Sequence, residues 1–124
     1  MFISAMIPCP TCHTTMSISH LHCEQCSLNL QGHFMLPRLS RLSKSHQKLA
    51  ESFLMAGGNF KLLAQRMDLS YPTLRRRVDE MIEALDALYK QDRQQADAIL
   101  ARIEKGEMTP QEGLRLIREM NNEE

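Results

Sequence analysis

The chain has 124 residues, enough for one ordinary domain or two or three very small ones. Fifteen Lys and Arg offset fifteen Asp and Glu, so bulk charge selects no partner. No apolar run approaches the roughly 18–20 residues that span a bilayer. The apolar start, Met1 to Pro8, lacks the basic flank and cleavage pattern of an export signal. A cytoplasmic protein without membrane attachment is the expectation.

Charge is distributed unevenly. Residues 1–36 hold no Lys or Arg and one acid, Glu24. Residues 37–90 hold ten Lys/Arg against six Asp/Glu, a net of +4, and residues 91–124 hold five against eight, a net of −3. Pattern changes with charge, which suggests three parts, 1–36, 37–90 and 91–124, in a small α+β chain. Attraction to nucleic acid should act in the basic middle part.

In the first part, Met16 and Ile18 alternate with Thr15, Ser17 and Ser19, and Leu28, Asn29 and Leu30 alternate before Gly32. This period of two predicts two short hairpins around paired cysteines. The cysteines are spaced Cys9-x-x-Cys12, ten residues, Cys23-x-x-Cys26. Two tight turns of this kind can deliver four thiolates to one tetrahedral zinc ion at about 2.3 Å. A segment of some 30 residues buries too little apolar surface to fold alone, and metal binding can supply the missing free energy.

Two disulfides would need an oxidising compartment, for which no export signal speaks. A redox pair needs one C-x-x-C beside a strand–helix unit. The four thiols also admit an iron–sulfur cluster. His13, His20, His22 and His33 lie nearby and read as exposed hairpin residues, although one could replace a cysteine. Four thiolates close the metal's shell and leave no open position for water, so the expected ion is structural.

Pro37 to Leu42 reads as a connector. Ser43 or Ser45 can cap a helix with Leu49, Phe53 and Leu54 as apolar positions, ended by Gly57-Gly58. Asn59 can cap a second helix with Leu62, Leu63 and Met67 as core candidates. After the turn Asp68-Leu69-Ser70, Ser70 caps a third helix, with Pro72 tolerated in its first turn. Past Lys90 a further helix carries Ala96, Ile99, Leu100 and Ile103 up to Gly106. Thr109-Pro110-Gln111-Glu112 is a capping box opening a last helix with Leu116, Ile117 and Met120.

The stretch Gly58 to Val78 suits a helix-turn-helix, with small Ala64 at the closest approach and Leu63, Met67, Leu69, Leu74 and Val78 as a little core. On the third helix Leu74, Val78 and Leu85 share an inward face. Tyr71, Pro72, Thr73 and Arg76 then lie near the helix start, where such helices meet base edges, with Arg75 and Arg77 placed for phosphates. The plainer reading of three successive arginines is a solvated helix face. Asp79, Glu80, Glu83 and Asp86 follow at once, so the later part of the helix must leave the groove. With no Trp and six Phe or Tyr, stacking platforms for single strands are scarce. Leu74, Val78, Met81, Leu85 and Leu88 alternate in steps of four and three, so Met81, Leu85 and Leu88 are candidates for pairing with a second copy.

Cys9-Pro10-x-Cys12, Cys23-x-x-Cys26, Gly32-His33-Phe34-x-Leu36-Pro37-Arg38-Leu39-x-Arg41-Leu42, and Gly58-Asn59 through Ser70-Tyr71-Pro72-Thr73 together resemble a prokaryotic family of unknown function. Its members join a zinc ribbon to a helix-turn-helix. The resemblance covers roughly residues 8–90 and implies a bacterial transcription factor. The helix-turn-helix is also similar to bacterial Fis-like domains, whose turn usually has glycine where Asp68 stands. The tail, Ile99 to Ile117, resembles short helical hairpins appended to varied bacterial proteins and thought to mediate association.

The expectation is a transcriptional regulator that binds double-stranded DNA and holds one structural zinc ion. The ribbon would serve as scaffold or as a contact for RNA polymerase or another protein. Two alternatives are a protein-interaction adaptor using the helix-turn-helix and tail, and a zinc- or redox-responsive switch on the thiols. No carboxylate pair, nucleophile–base arrangement or phosphate loop points to an enzyme or a small-molecule substrate.

Overall fold

A computed structural model describes residues 8–121. The apolar start read above therefore lies, Pro8 apart, outside the described residues. An antiparallel hairpin comes first, β1 (Ile18–His22) with β2 (Asn29–Phe34), in the register Leu21↔Leu30 with an irregularity between Ile18 and His20. A 3-10 turn over Arg38–Arg41 leads into four helices: α1 (Lys44–Met55), α2 (Phe60–Met67), α3 (Tyr71–Glu104) and α4 (Pro110–Asn121). Of the first of the two expected hairpins, the described residues hold a single bridge, between Pro8 and Thr15.

Side-chain caps start the helices where small polar residues stand. Ser43, rather than Ser45, accepts from the His46 amide at 3.3 Å. Asn59 accepts from Leu62 at 3.1 Å, Ser70 from Thr73 at 3.4 Å and Thr109 from Glu112 at 3.3 Å. Each satisfies one amide that the helix itself cannot.

The helix ends share one closure. After α1, Gly58 donates its amide to Phe53 and Gly57 to Leu54, with both glycines at positive φ. After α2, Leu69 donates to Ala64 and Asp68 to Gln65, and after α3, Glu107 donates to Arg102 and Gly106 to Ile103. This is the Schellman pattern, which needs a left-handed residue just past the helix. Gly57, Asp68 and Gly106 occupy that place with φ of 64°, 53° and 75°.

The core gathers Leu49, Ala56, Leu63, Leu74 and Val78, with Phe53, Phe60, Ala64, Met67 and Met81 packed around them. Leu63 and Leu74 are completely buried. At about 1.5–3 kcal/mol per fully buried aliphatic side chain, this cluster is the main hydrophobic contribution to the helical part. The apolar Leu54 is 72% exposed, and the core candidate Leu62 is also exposed. The reason is helical phase: Leu49, Phe53 and Ala56 recur at i, i+4 and i+7, and Leu54 lies off that stripe. Leu69 is only half-buried, because it follows the α2 closure instead of lying on a helix face.

The separate helix expected past Lys90 is absent, because α3 runs unbroken for 34 residues. No Gly or Pro stands between Thr73 and Lys105, and Lys90 pairs with Asp86 one turn back at 2.9 Å. The limit drawn between residues 90 and 91 falls inside this helix. α4 folds back on the end of α3 through Gly113. A Cβ there would meet the Ile103 side chain, with Cγ1 at 2.9 Å, and Ile99 Cγ2 at 3.2 Å. Leu116, Ile117 and Met120 are half-buried, as their spacing predicts.

A polar clamp ties the 3-10 turn to the middle of α3. Asp92 is 5% exposed, the only buried polar residue among the described ones. Its carboxylate accepts from Arg38 Nε at 2.9 Å and from Arg41 Nη2. The Arg38 guanidinium also lies 5.0 Å from the centre of the Tyr89 ring. Gln47 in α1 donates to the Ser40 and Leu42 carbonyls at 2.9 and 2.7 Å, fixing the same connector from the other side.

Candidate metal centre and nucleic-acid interface

The four cysteines lie on two turns of the same construction. In the first, the Cys9 amide donates to Thr14 and the His13 amide to Cys9, both at 2.8 Å. In the second, Cys23 donates to Leu28 and Ser27 to Cys23, again at 2.8 Å. His13 and Ser27, each just after the second cysteine of its pair, both have φ of 61°. The backbone thus repeats at a spacing of fourteen residues, Cys9 onto Cys23 and Cys12 onto Cys26. The sequence spacing foretold the pairing; the strained left-handed residues carried no signal, because neither is glycine.

All four thiols are free, Cys9 half-buried and the others exposed. The Cys12 thiol is pulled below its ordinary value, first by the Thr14 hydroxyl, 2.9 Å from its sulfur, and then by the Thr14 backbone. Cys23 is lowered first by the backbone amide of Cys26 and then by its thiol. Hydrogen bonds to a thiolate favour the form that binds metal. Four sulfur donors in two turns suit zinc by type. Among the described residues, however, no three Cys, His, Asp or Glu side chains already converge closely enough to hold an ion.

The helix-turn-helix places its sequence-predicted residues unequally. Tyr71 and Pro72 are exposed at the start of α3, with the Tyr71 ring 5.8 Å from Phe60. Thr73 is half-buried, and its hydroxyl accepts from Ser70 at 2.9 Å. Arg75 is held sideways, 3.3 Å from Asp79 and 5.3 Å from the Phe60 ring centre. Arg77 turns towards α1, lining a shallow cavity with Lys48, Leu49, Met67 and Glu80. Arg76 is exposed and makes no ion pair among the described residues. The three adjacent arginines thus point to three environments, as 100° per residue requires. Of the residues proposed for pairing, Met81 packs on the core, while Leu85 lines a groove with Leu39, Ile82 and Tyr89.

No helix among the described residues is long and apolar enough to cross a membrane. Twin cysteine turns on a hairpin, followed by a capped helix, a left-handed turn and a crossing helix, define a zinc ribbon joined to a helix-turn-helix. The family model described as DUF2089 zinc ribbon matches residues 9–40, and that described as Domain of unknown function (DUF2089)-HTH matches residues 42–88. The chain belongs to the DUF2089 family. No curated protein and no solved structure matches it. The ribbon family implies zinc, and the helix-turn-helix is consistent with DNA binding. The Arg38–Arg41–Asp92 clamp escaped the sequence reading, although the resemblance already singled out both arginines.

Proposed function

We propose that this chain is a DNA-binding transcriptional regulator with one structural zinc ion held by Cys9, Cys12, Cys23 and Cys26. The observation that carries the DNA reading is the start of α3. An exposed, unpaired Arg76 stands there on a helix positioned by the Ser70 cap and the Asp68 turn. Tyr71, Pro72 and Thr73 precede it at the helix start for the groove, and Arg75 and Arg77, turned to Asp79 and towards α1, would swing out to phosphates. Glu83 and Asp86 come later on the helix, away from the reading turn, while Asp79, one turn on, is paired with Arg75.

Zinc would draw the two cysteine turns together and supply the stability that a two-stranded hairpin lacks by itself. The ion is structural, and no enzymatic role is proposed. Exposed Leu21, Leu28 and Leu30 in a segment without Lys or Arg favour protein over nucleic acid as the ribbon's own partner. A second copy, paired through Leu85 and Leu88, would let the protein read two half-sites. Sedimentation as a monomer at high micromolar concentration would reject that pairing.

The decisive test is binding of the zinc-loaded chain to genomic DNA fragments at two salt concentrations. Sequence selection with a steep fall in affinity as salt rises is expected. Arg76→Ala should weaken binding by about 1–3 kcal/mol and relax sequence choice, while Arg75→Ala weakens it more evenly. Equal affinity of the wild type and a variant with Ala at 75, 76 and 77 would reject α3 as the reader and favour the adaptor reading. Cys9→Ser or Cys23→Ser should leave the ribbon unfolded; ordered hairpin signals without metal would reject the zinc assignment.

A further inference from the structure

Apart from the four thiols, the hairpin carries a second group of metal-type donors. His20 and His22 alternate along β1 and so share one of its faces. Their cross-strand partners are Gln31 and Asn29. Asn29 Oδ1 lies 2.6 Å from His22 Nδ1 and 3.2 Å from His20 Nε2. Two imidazole nitrogens and an amide oxygen, from both strands, therefore meet at one exposed point. No Lys or Arg occurs in residues 1–36 to repel a cation there.

We propose that His20, His22 and Asn29 form a second, solvent-facing site for a divalent ion of the Ni2+ or Zn2+ type, separate from the thiol centre. Imidazole nitrogen is a favoured ligand for both ions. Each neutral ring binds through the nitrogen that now faces Asn29, and its N–H moves to the other ring nitrogen by exchange with water. The amide oxygen is the third ligand, and water fills the remaining positions. Three neutral donors hold an ion less firmly than four thiolates. The site therefore exchanges with free metal while the structural ion stays in place.

The test titrates the zinc-loaded full chain with Ni2+ by calorimetry and by nuclear magnetic resonance. One Ni2+ per chain should bind without zinc release, broadening the His20, His22 and Asn29 side-chain signals. His20→Gln and His22→Gln should each weaken uptake at least about tenfold. Loss of an outer-shell partner alone commonly costs that much. His13→Gln and His33→Gln should leave uptake unchanged. Glutamine can still hydrogen-bond Asn29, and retained hairpin amide signals would show that these variants fold.

The proposal is overturned if the wild type takes up no Ni2+, if Ni2+ only displaces zinc, or if uptake survives His20→Gln. It is also overturned if cobalt-loaded His22→Gln loses its thiolate-to-cobalt absorption, because His22 would then serve the thiol centre. That absorption reports the thiol centre alone, so failure of the zinc assignment remains distinguishable from failure of this site.

Discussion

Asp68 holds the helix-turn-helix turn with φ 53° and ψ 48°, a conformation that costs an L-residue about 1 kcal/mol or more. Asp and Asn tolerate it better than most, which is why the turn forms without glycine. Asp68→Gly should raise stability by up to about 1 kcal/mol, partly offset by the freer unfolded chain. Asp68→Val should lower it by more than that gain. Thermal unfolding of the three forms checks the order; a glycine variant less stable than the valine variant would contradict it. The same scale shows what sequence could foresee. Ser43, Asn59, Ser70 and Thr109 each act on the amide three residues away, and such local chemistry is legible in a string. His13 and Ser27 also act locally, but their left-handed backbone is imposed by the cysteine turns, so residue type gave no hint.

At the scale of elements, the helix starts and the tail helix follow the sequence signals, and the extent of α3 does not. Leu54 is one of the apolar positions of α1, but the stripe Leu49–Phe53–Ala56 decides which face turns in, and Leu54 stays exposed. The break expected after Lys90 rested on a change of charge, and charge does not stop a helix; Gly106 does. Packing of α4 on α3 depends on Gly113, whose lack of a side chain lets the backbone lie against Ile103 and Ile99. Gly113→Val should dislodge α4 and speed hydrogen exchange in residues 110–121. Protection of the core around Leu63 and Leu74 should remain. Unchanged exchange in α4 would mean that the two helices can separate without losing their contact. A glycine within an amphipathic helix was visible in sequence, but the residue it must accommodate was not.

At the scale of the whole molecule, the connector and α3 meet at Asp92. Burial alone would raise its carboxyl; the hydrogen bonds and charges of Arg41 and Arg38 outweigh burial and hold it below the ordinary value. A depressed carboxylate stabilises the fold above the ordinary unfolded value of about 3.9. That contribution is lost as pH falls through the lower, folded value. Acid titration should therefore free the connector only below the usual carboxylate range. Asp92→Asn should cost about 1–3 kcal/mol at neutral pH and remove this acid-dependent loss. Equal acid profiles for the wild type and Asp92→Asn would show that the clamp contributes nothing. Partners 51 and 54 residues apart leave no periodic trace, so sequence could point to Arg38 and Arg41 but not to their acceptor.

Because α3 is continuous, the helix-turn-helix turn, the clamp and the tail hairpin are stations on one rod of about 51 Å at 1.5 Å per residue. A rod fixes azimuth as well as distance. One residue inserted between Asp92 and Ile99 would swing α4 by about 100° around the axis, whereas seven would restore its bearing to within about 20°. The length of this helix therefore encodes an angle: the direction in which the tail faces relative to Arg76.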